Sequence, residues 1–157
     1  MRKKKIKKAK IEVWYDGACE PKNPGGTASY GVIIKSEGKV IFEESKIVGT
    51  GNGMSNNVAE YSGAISGMEW MIANGLKDHP ILVRGDNKMS VEQMSGNWKV
   101  RTWDGLYVPY WRKAKELVKQ FTHIEFRWIS REQNGEADEI SKQALRESGI
   151  KFKIQPE

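Results

Sequence analysis

The strongest constraint on the fold of this chain is a change of hydrophobic period close to residue 51. Before it, apolar residues alternate. Ile11, Val13 and Tyr15 fall on one face of IEVWYD, and Glu12, Trp14 and Asp16 on the other, the two-residue repeat of a strand. TASYGVIIK and KVIFEESKIV continue as strands joined by SEG, a hairpin signal. Between the first two strands, ACEPKNPGG reads as a turn-rich loop, with two prolines and two glycines. After TGNGMS the spacing becomes three to four. Val58, Tyr61, Ile65, Met68 and Ile72 place NNVAEYSGAISGMEWMIAN in a helix closed by Gly75. Gly63 and Gly67, one turn apart, predict close approach of that helix to a sheet.

The rest alternates. ILVRGD reads as a short buried strand, NKMSVEQMS as a short helix and NWKVRTWDG as a polar connection with exposed aromatics. LYVPYWRKAKELVKQF is a helix with Pro109 near its first turn, where proline is tolerated. HIEFRWIS and NGEADEISKQALRES complete the chain as strand and helix. Three antiparallel strands followed by helix–strand alternation predict an α/β fold, a mixed sheet flanked by helices.

Four carboxylates stand at the ends of these elements: Asp16 ends the first strand, Glu60 lies in the first turn of the long helix, Asp86 ends the fourth strand, and Asp138 is on the last helix. Each has a plain structural reading. Asp16-Gly17 is a turn dipeptide, Asn57 and Glu60 match a capping box, Asp86 suits a helix cap, and Asp138 suits a solvated helix face. Taken together they carry more, because strand ends and adjacent helix N-termini at one edge of an α/β sheet are where ligands gather. Carboxylates converging in a cleft repel one another unless a cation neutralises them. Oxygen ligands without His or Cys suit Mg²⁺ or Mn²⁺, and two such ions roughly 4 Å apart form the clamp used in phosphodiester displacement.

Charge is unevenly placed. The chain holds 26 Lys and Arg against 20 Asp and Glu; residues 1–10 contain seven of those bases and no acid, so the remainder carries 19 against 20. The positive excess is therefore the N-terminal run, not the body. It is not a signal-peptide start, which requires about 7–15 apolar residues to follow, and no stretch approaches the roughly 20 apolar residues of a membrane span. The single cysteine, Cys19, excludes an intrachain disulfide and fits a reducing, intracellular and cytoplasmic setting; His79 and His123 lie far from it in sequence, which excludes a zinc-type cluster. Six tryptophans and 38% hydrophobic residues indicate a packed core.

The run D16-G-A-C-E-P-K-N-P-G-G, then S55-N-N-x-x-E60, then G85-D86-N, then N134-x-x-x-D138, resembles the type 1 ribonuclease H family. The resemblance spans residues 11–147. Each motif alone is moderately specific; the four in this order, on these elements, are highly specific. The resemblance implies the ribonuclease H-like fold, a five-stranded mixed sheet of order 3-2-1-4-5 flanked by helices, in a catalytic domain over 10–149. Residues 1–9 form a basic tail and 150–157 a C-terminal tail or edge strand. It implies endonucleolytic hydrolysis of the RNA strand of RNA/DNA hybrids by two Mg²⁺ ions, with Mn²⁺ a substitute, leaving 5′-phosphate and 3′-hydroxyl ends. Asp16, Glu60, Asp86 and Asp138 would be catalytic metal ligands, with Asp16 bridging both ions. A monomer acting on a hybrid, without a membrane, is the expected state.

The same resemblance places Cys19, Asn23, Asn56, Asn57 and Asn134 among the substrate-binding positions, the first four on the RNA strand, whose 2′-hydroxyls mark it as RNA. Ser55 matches a DNA-phosphate contact, and Trp98 and Lys99 fall in the DNA-side channel. Helix capping is the plain reading for the Asn pair, and rim packing for Trp98. The chain departs from the family in four places. The loop between CEP and NPGG has one extra residue, which bears on Asn23. Thr102 stands where Asn is common. SREQNGEAD lacks the family's loop histidine, leaving Arg131 or Glu132 as substitutes. A lysine- and tryptophan-rich helical insertion is absent between Trp98 and Trp103. That last absence gives the basic run a role: Arg2, Lys3, Lys4, Lys5, Lys7 and Lys8 would supply accessory phosphate contacts.

Overall fold

The computed structural model describes residues 9 and 11–153. The accessory bases Arg2, Lys3, Lys4, Lys5, Lys7 and Lys8 lie outside the described residues. Strands β1 (Ile11–Glu20), β2 (Thr27–Ser36) and β3 (Lys39–Thr50) form an antiparallel meander. β4 (Ile81–Gly85) pairs parallel with β1, and β5 (Ile124–Trp128) parallel with β4. The sheet order is β3-β2-β1-β4-β5, as expected. The helices are α1 (Asn56–Ala73), α2 (Lys88–Met94), α3 (Val108–Val118) and α4 (Gly135–Glu147), the last entered through a 3-10 turn at Arg131–Asn134.

The alternation read in the sequence decides which face each helix covers. Tyr30, Val32 and Ile34 point to α1, where Gly63 and Gly67 remove the side chains that would hold the helix off: a Cβ on Gly67 would stand 3.1 Å from Val32 Cγ2. Val58, Tyr61, Met68 and Met71 of α1 are buried there with Val13 and Tyr15, each worth about 1.5–3 kcal/mol of removed apolar surface. The opposite face of β2 meets α4. Ser29 Oγ donates to the Ser141 carbonyl at 2.7 Å, and a Cβ on Gly31 would lie 2.5 Å from the Ala137 carbonyl oxygen.

Two expectations are corrected. β1 does not end at Asp16 but runs on through Gly-Ala-Cys-Glu, because those residues pair with Thr27–Tyr30 of β2. The turn is thus confined to the Pro-Lys-Asn-Pro-Gly-Gly segment. The α1 N-cap is Ser55, not Asn57. Ser55 has extended backbone (φ −154, ψ 168) and its Oγ accepts from Val58 N at 3.2 Å, whereas Asn56 and Asn57 are already helical. Glu60 is therefore free of the capping box. At the other end, residues 151–153 belong to no strand, while Lys153 N donates to Glu20 Oε2 at 3.4 Å.

Candidate active site

Three backbone devices bring the acidic residues together. Asp16 lies mid-strand in β1, opposite Gly31. Its successor Gly17 is where α1 touches the sheet: a Cβ there would fall 2.5 Å from Glu60 N and 2.7 Å from Ala59 C. Only glycine permits that approach, and the approach delivers Glu60 to Asp16. Asp86 follows directly on β4, whose Gly85 lies flat against the Tyr15 ring; a Cβ there would fall 2.6 Å from Tyr15 Cζ. Asn87 then starts α2, its Oδ1 accepting from Ser90 N at 2.8 Å, so the cap expected of Asp86 belongs to Asn87 and the Asp86 carboxylate is released.

Carboxylate oxygens of Asp16, Glu60 and Asp86 lie within 4.8 Å of one another. Asp16 and Glu60 are buried, at 5% and 2% exposure, and Glu60 Oε2 has no hydrogen-bond partner. Burial lifts Asp16 to about 7, helped by the charges of Asp86 and Asp138 and opposed by hydrogen bonds from Glu60 and from Gly17 N, the latter at 2.9 Å. Burial likewise pushes Glu60 well above the usual carboxylate range, and the neighbouring charges of Asp16 and Asp86 add to it. Asp86 is raised by burial, while the Asn134 amide and the Arg131 charge pull it down. Without a cation this cluster holds protons near neutrality. A bare buried oxygen in an all-oxygen donor set fits a hard divalent cation and little else.

Asp138 stands outside the group of three. It lies in the first turn of α4, half-buried, with Lys142 Nζ 3.1 Å from Oδ2. It is near enough for its charge to raise both Asp16 and Asp86.

A family model described as "Reverse transcriptase-like" matches residues 14–144. The bifunctional protein Rv2228c of Mycobacterium tuberculosis is 35% identical over 140 residues, covering 87% of this chain and 35% of that protein's length. The N-terminal RNase H domain of the same protein, solved as a fusion with maltose-binding protein, superposes with TM-score 0.77 and 30% identity over 90% of this chain and 97% of that one.

The chain belongs to the type 1 ribonuclease H family.

Other members superpose equally well. LC11-RNase H1, isolated from compost by a metagenomic approach and solved with an RNA/DNA hybrid, gives TM-score 0.77 and 31% identity over 88% of this chain and 99% of that one. RNase H1 from the archaeon Halobacterium salinarum gives TM-score 0.75 and 28% identity over 87% and 98%. Against this type 1 ribonuclease H frame, the expected substrate positions divide into two groups. Asn23 Oδ1 accepts from Asn56 N at 2.9 Å, and Asn57 Oδ1 accepts from Asn87 Nδ2 at 3.2 Å. With the cap Ser55, these residues make a polar ribbon from the Pro-rich turn to the edge of the acidic cluster. Cys19 is buried beside it, its Sγ 3.3 Å from the Lys22 carbonyl oxygen, and burial pushes its thiol up. Trp98, Lys99 and Thr102 lie beyond α2 in the exposed 95–106 connection and do not join the cluster.

Asn134 is the link between site and scaffold. Buried at 1% exposure, its Nδ2 donates to the Tyr15 carbonyl at 2.9 Å and to Asp86 Oδ2 at 3.3 Å. Sequence reasoning missed three supports. Gly17 looked like half of a turn dipeptide. Trp128 Nε1 donates to the Asp86 carbonyl at 3.1 Å, and only the strand pairing reveals that contact. Tyr61, Gln93 and Tyr107 form a buried chain (Tyr61 OH to Gln93 Oε1, 2.5 Å; Gln93 Nε2 to Tyr107 OH, 3.1 Å) that ties α1, α2 and α3 together under the site.

Proposed function

We propose that the chain hydrolyses the RNA strand of RNA/DNA hybrids, leaving 5′-phosphate and 3′-hydroxyl ends, with Mg²⁺ as the metal and Mn²⁺ as a substitute. The observation that carries this reading is the cluster of Asp16, Glu60 and Asp86, with its bare Glu60 oxygen, in a fold shared with members of the type 1 ribonuclease H family. Asp16, Glu60 and Asp86, with Asp138 beside them, would hold the ions. Bound there, two divalent ions supply Lewis-acid stabilisation of the attacking and leaving oxygens of an in-line displacement.

The chain's own residues do the remaining work. Gly17 N–H and the Asn134 amide fix the orientation of Asp16 and Asp86, so little reorganisation is needed when charge develops. Glu60, inside the dry end of the cleft, is poised to face a 2′-hydroxyl. The ribbon of Asn23, Asn56 and Asn57 offers amide donors and acceptors along a minor groove, where 2′-hydroxyls distinguish RNA from DNA. Cys19 contributes through its backbone. Ser55, Thr102, Trp98 and Lys99 serve the DNA strand, and the N-terminal bases add phosphate affinity. Arg131, whose charge already acts on Asp86, takes the place of the absent loop histidine as the charged group beside the site.

The test is a cleavage assay on end-labelled hybrid, duplex RNA and duplex DNA. The RNA of the hybrid should be cut with Mg²⁺ or Mn²⁺ and spared with EDTA, and Asp86→Asn should bind hybrid without cutting it. Wild-type cleavage by Asp86→Asn would overturn the assignment.

A further inference from the structure

Two asparagines meet where the polar ribbon reaches the acidic cluster, and hydrogen-bond parity fixes which way each amide faces. Asn87 is the N-cap of α2, and its Oδ1 accepts from Ser90 N at 2.8 Å. A backbone N–H can only donate, so that side of the Asn87 amide must be its oxygen. The other side is then Nδ2, which donates to Asn57 Oδ1 at 3.2 Å. An amide nitrogen does not accept, so Asn57 in turn has to offer Asn87 its oxygen.

What remains of Asn57 is its nitrogen. Among the described residues no group accepts from Asn57 Nδ2. It is not one of the buried atoms left without a partner, so it is open to solvent. Asn23 repeats the logic at the far end of the ribbon. Its Oδ1 accepts from Asn56 N at 2.9 Å, and its free group is again Nδ2.

The consequence concerns which bases can be read. In a minor groove every base pair offers acceptors, N3 or O2, and only a pair with guanine adds a donor, the N2 amine. An outward amide nitrogen therefore suits any base pair, whereas an outward amide oxygen would single out guanine. Asn57 alone could present either. The choice is made by Asn87, directly after Asp86.

We propose that Asn87 determines base specificity in hybrid recognition: it locks the Asn57 amide with its nitrogen toward the minor groove and keeps that contact tolerant of sequence. Asn87 is a positioning residue, acting through Asn57. The proposal rests on the hybrid-cleaving reading above.

Asn87→Asp tests it. Aspartate caps a helix about as well as asparagine, so one oxygen still meets Ser90 N. The other now presents an acceptor to Asn57, which turns that amide over and points its oxygen outward. Affinities for a poly(rA)·poly(dT) and a poly(rG)·poly(dC) hybrid are measured in EDTA, where no cleavage intervenes. The added charge weakens both hybrids alike and cancels in the ratio of the two Kd values. One hydrogen bond redirected to guanine should shift that ratio toward the G·C hybrid by about three- to tenfold. In an Asn57→Ala background the shift should vanish, because the two residues act as a unit. Thermal melting checks folding. Should Asn87→Asp not fold, Asn87→Ser, which also caps and frees the Asn57 amide to turn, decides by a smaller shift of the same ratio. An unchanged ratio, or a shift that persists without Asn57, overturns the proposal. Failure of the wild-type protein to bind or cut hybrid counts against the parent reading instead.

Discussion

Asn134 holds Asp86 in place: its amide nitrogen lies 3.3 Å from Asp86 Oδ2 while donating to the Tyr15 carbonyl at 2.9 Å. One buried side chain thus sets the spacing between the middle of β1, which carries Asp16, and the end of β4, which Asp86 follows. Asn134→Ala leaves the Tyr15 carbonyl unpaired and Asp86 unsupported. It should cost about 1–3 kcal/mol in urea unfolding and raise the Mg²⁺ concentration needed for half-maximal cleavage by about tenfold. An unaltered Mg²⁺ requirement would show that Asn134 serves packing alone.

Glu60→Gln should separate stability from activity. Removing a buried acid crowded by Asp16 and Asp86 relieves repulsion and the cost of burying charge. The metal-free protein should melt higher at pH 8, by about 3 °C for each kcal/mol relieved, while hybrid cleavage is lost. A lower melting temperature would mean that the acid stabilises the fold unaided.

The metal-free protein should lose stability as pH rises. Asp16 is lifted from 3.8 to about 7, so between those values the folded state binds more protons than the unfolded state. The contribution is favourable below the folded value and declines from about pH 4 to 7. Glu60 and Asp86 shift in the same direction. Mg²⁺ affinity, measured calorimetrically, should rise across the same interval as protons leave the ligands. Melting curves in EDTA that improve from pH 5 to 7 would contradict this.

Gly17→Ala should injure both fold and site. The added methyl meets the α1 backbone at Glu60 N and Ala59 C, which a side-chain adjustment cannot relieve. Destabilisation of about 3 kcal/mol or more is expected, with weakened metal binding in whatever remains folded. Gly38→Ala is the control for the surface turn, because it meets nothing within 4 Å, although its φ of +81 carries its own strain.

Deleting residues 2–8 should weaken hybrid binding and flatten its salt dependence while the maximal rate holds. If four bases contact phosphates, the affinity they add should change by about 10²-fold between 50 and 200 mM salt. Equal salt slopes for full-length and shortened protein would remove the tail from the binding account.

Legibility in the sequence followed the physics of each signal. Strand β1 and helix α1 announce themselves because each keeps one face drier than the other, whereas β2 is buried on both faces over Thr27–Ile34 and β3 has no buried residue. The extension of β1 through Gly17–Glu20 left no trace, since pairing with Thr27–Tyr30 makes it a strand rather than any alternation. Ser55, Asn56 and Asn57 are all good caps, and only backbone geometry chooses among them. The carboxylates were legible by position, yet the structure gathers three and leaves Asp138 with Lys142. Gly17 and Gly31 were silent, because a glycine that admits a helix looks the same in sequence as one that makes a turn.

Those two glycines also determine how the site can fail. Asp16 sits between the place where α1 meets the sheet, at Gly17, and the place where α4 meets it, opposite Gly31. Asp16 and Glu60 sit on a strand and a helix, not on a loop that could open while the domain stays shut. Loosening the acidic cluster requires lifting a helix from the sheet, so amide exchange around Asp16 should report global rather than local opening. An ion bound there would act as a rivet through every layer, and the free metal concentration would set the resistance of the whole domain to heat and proteolysis.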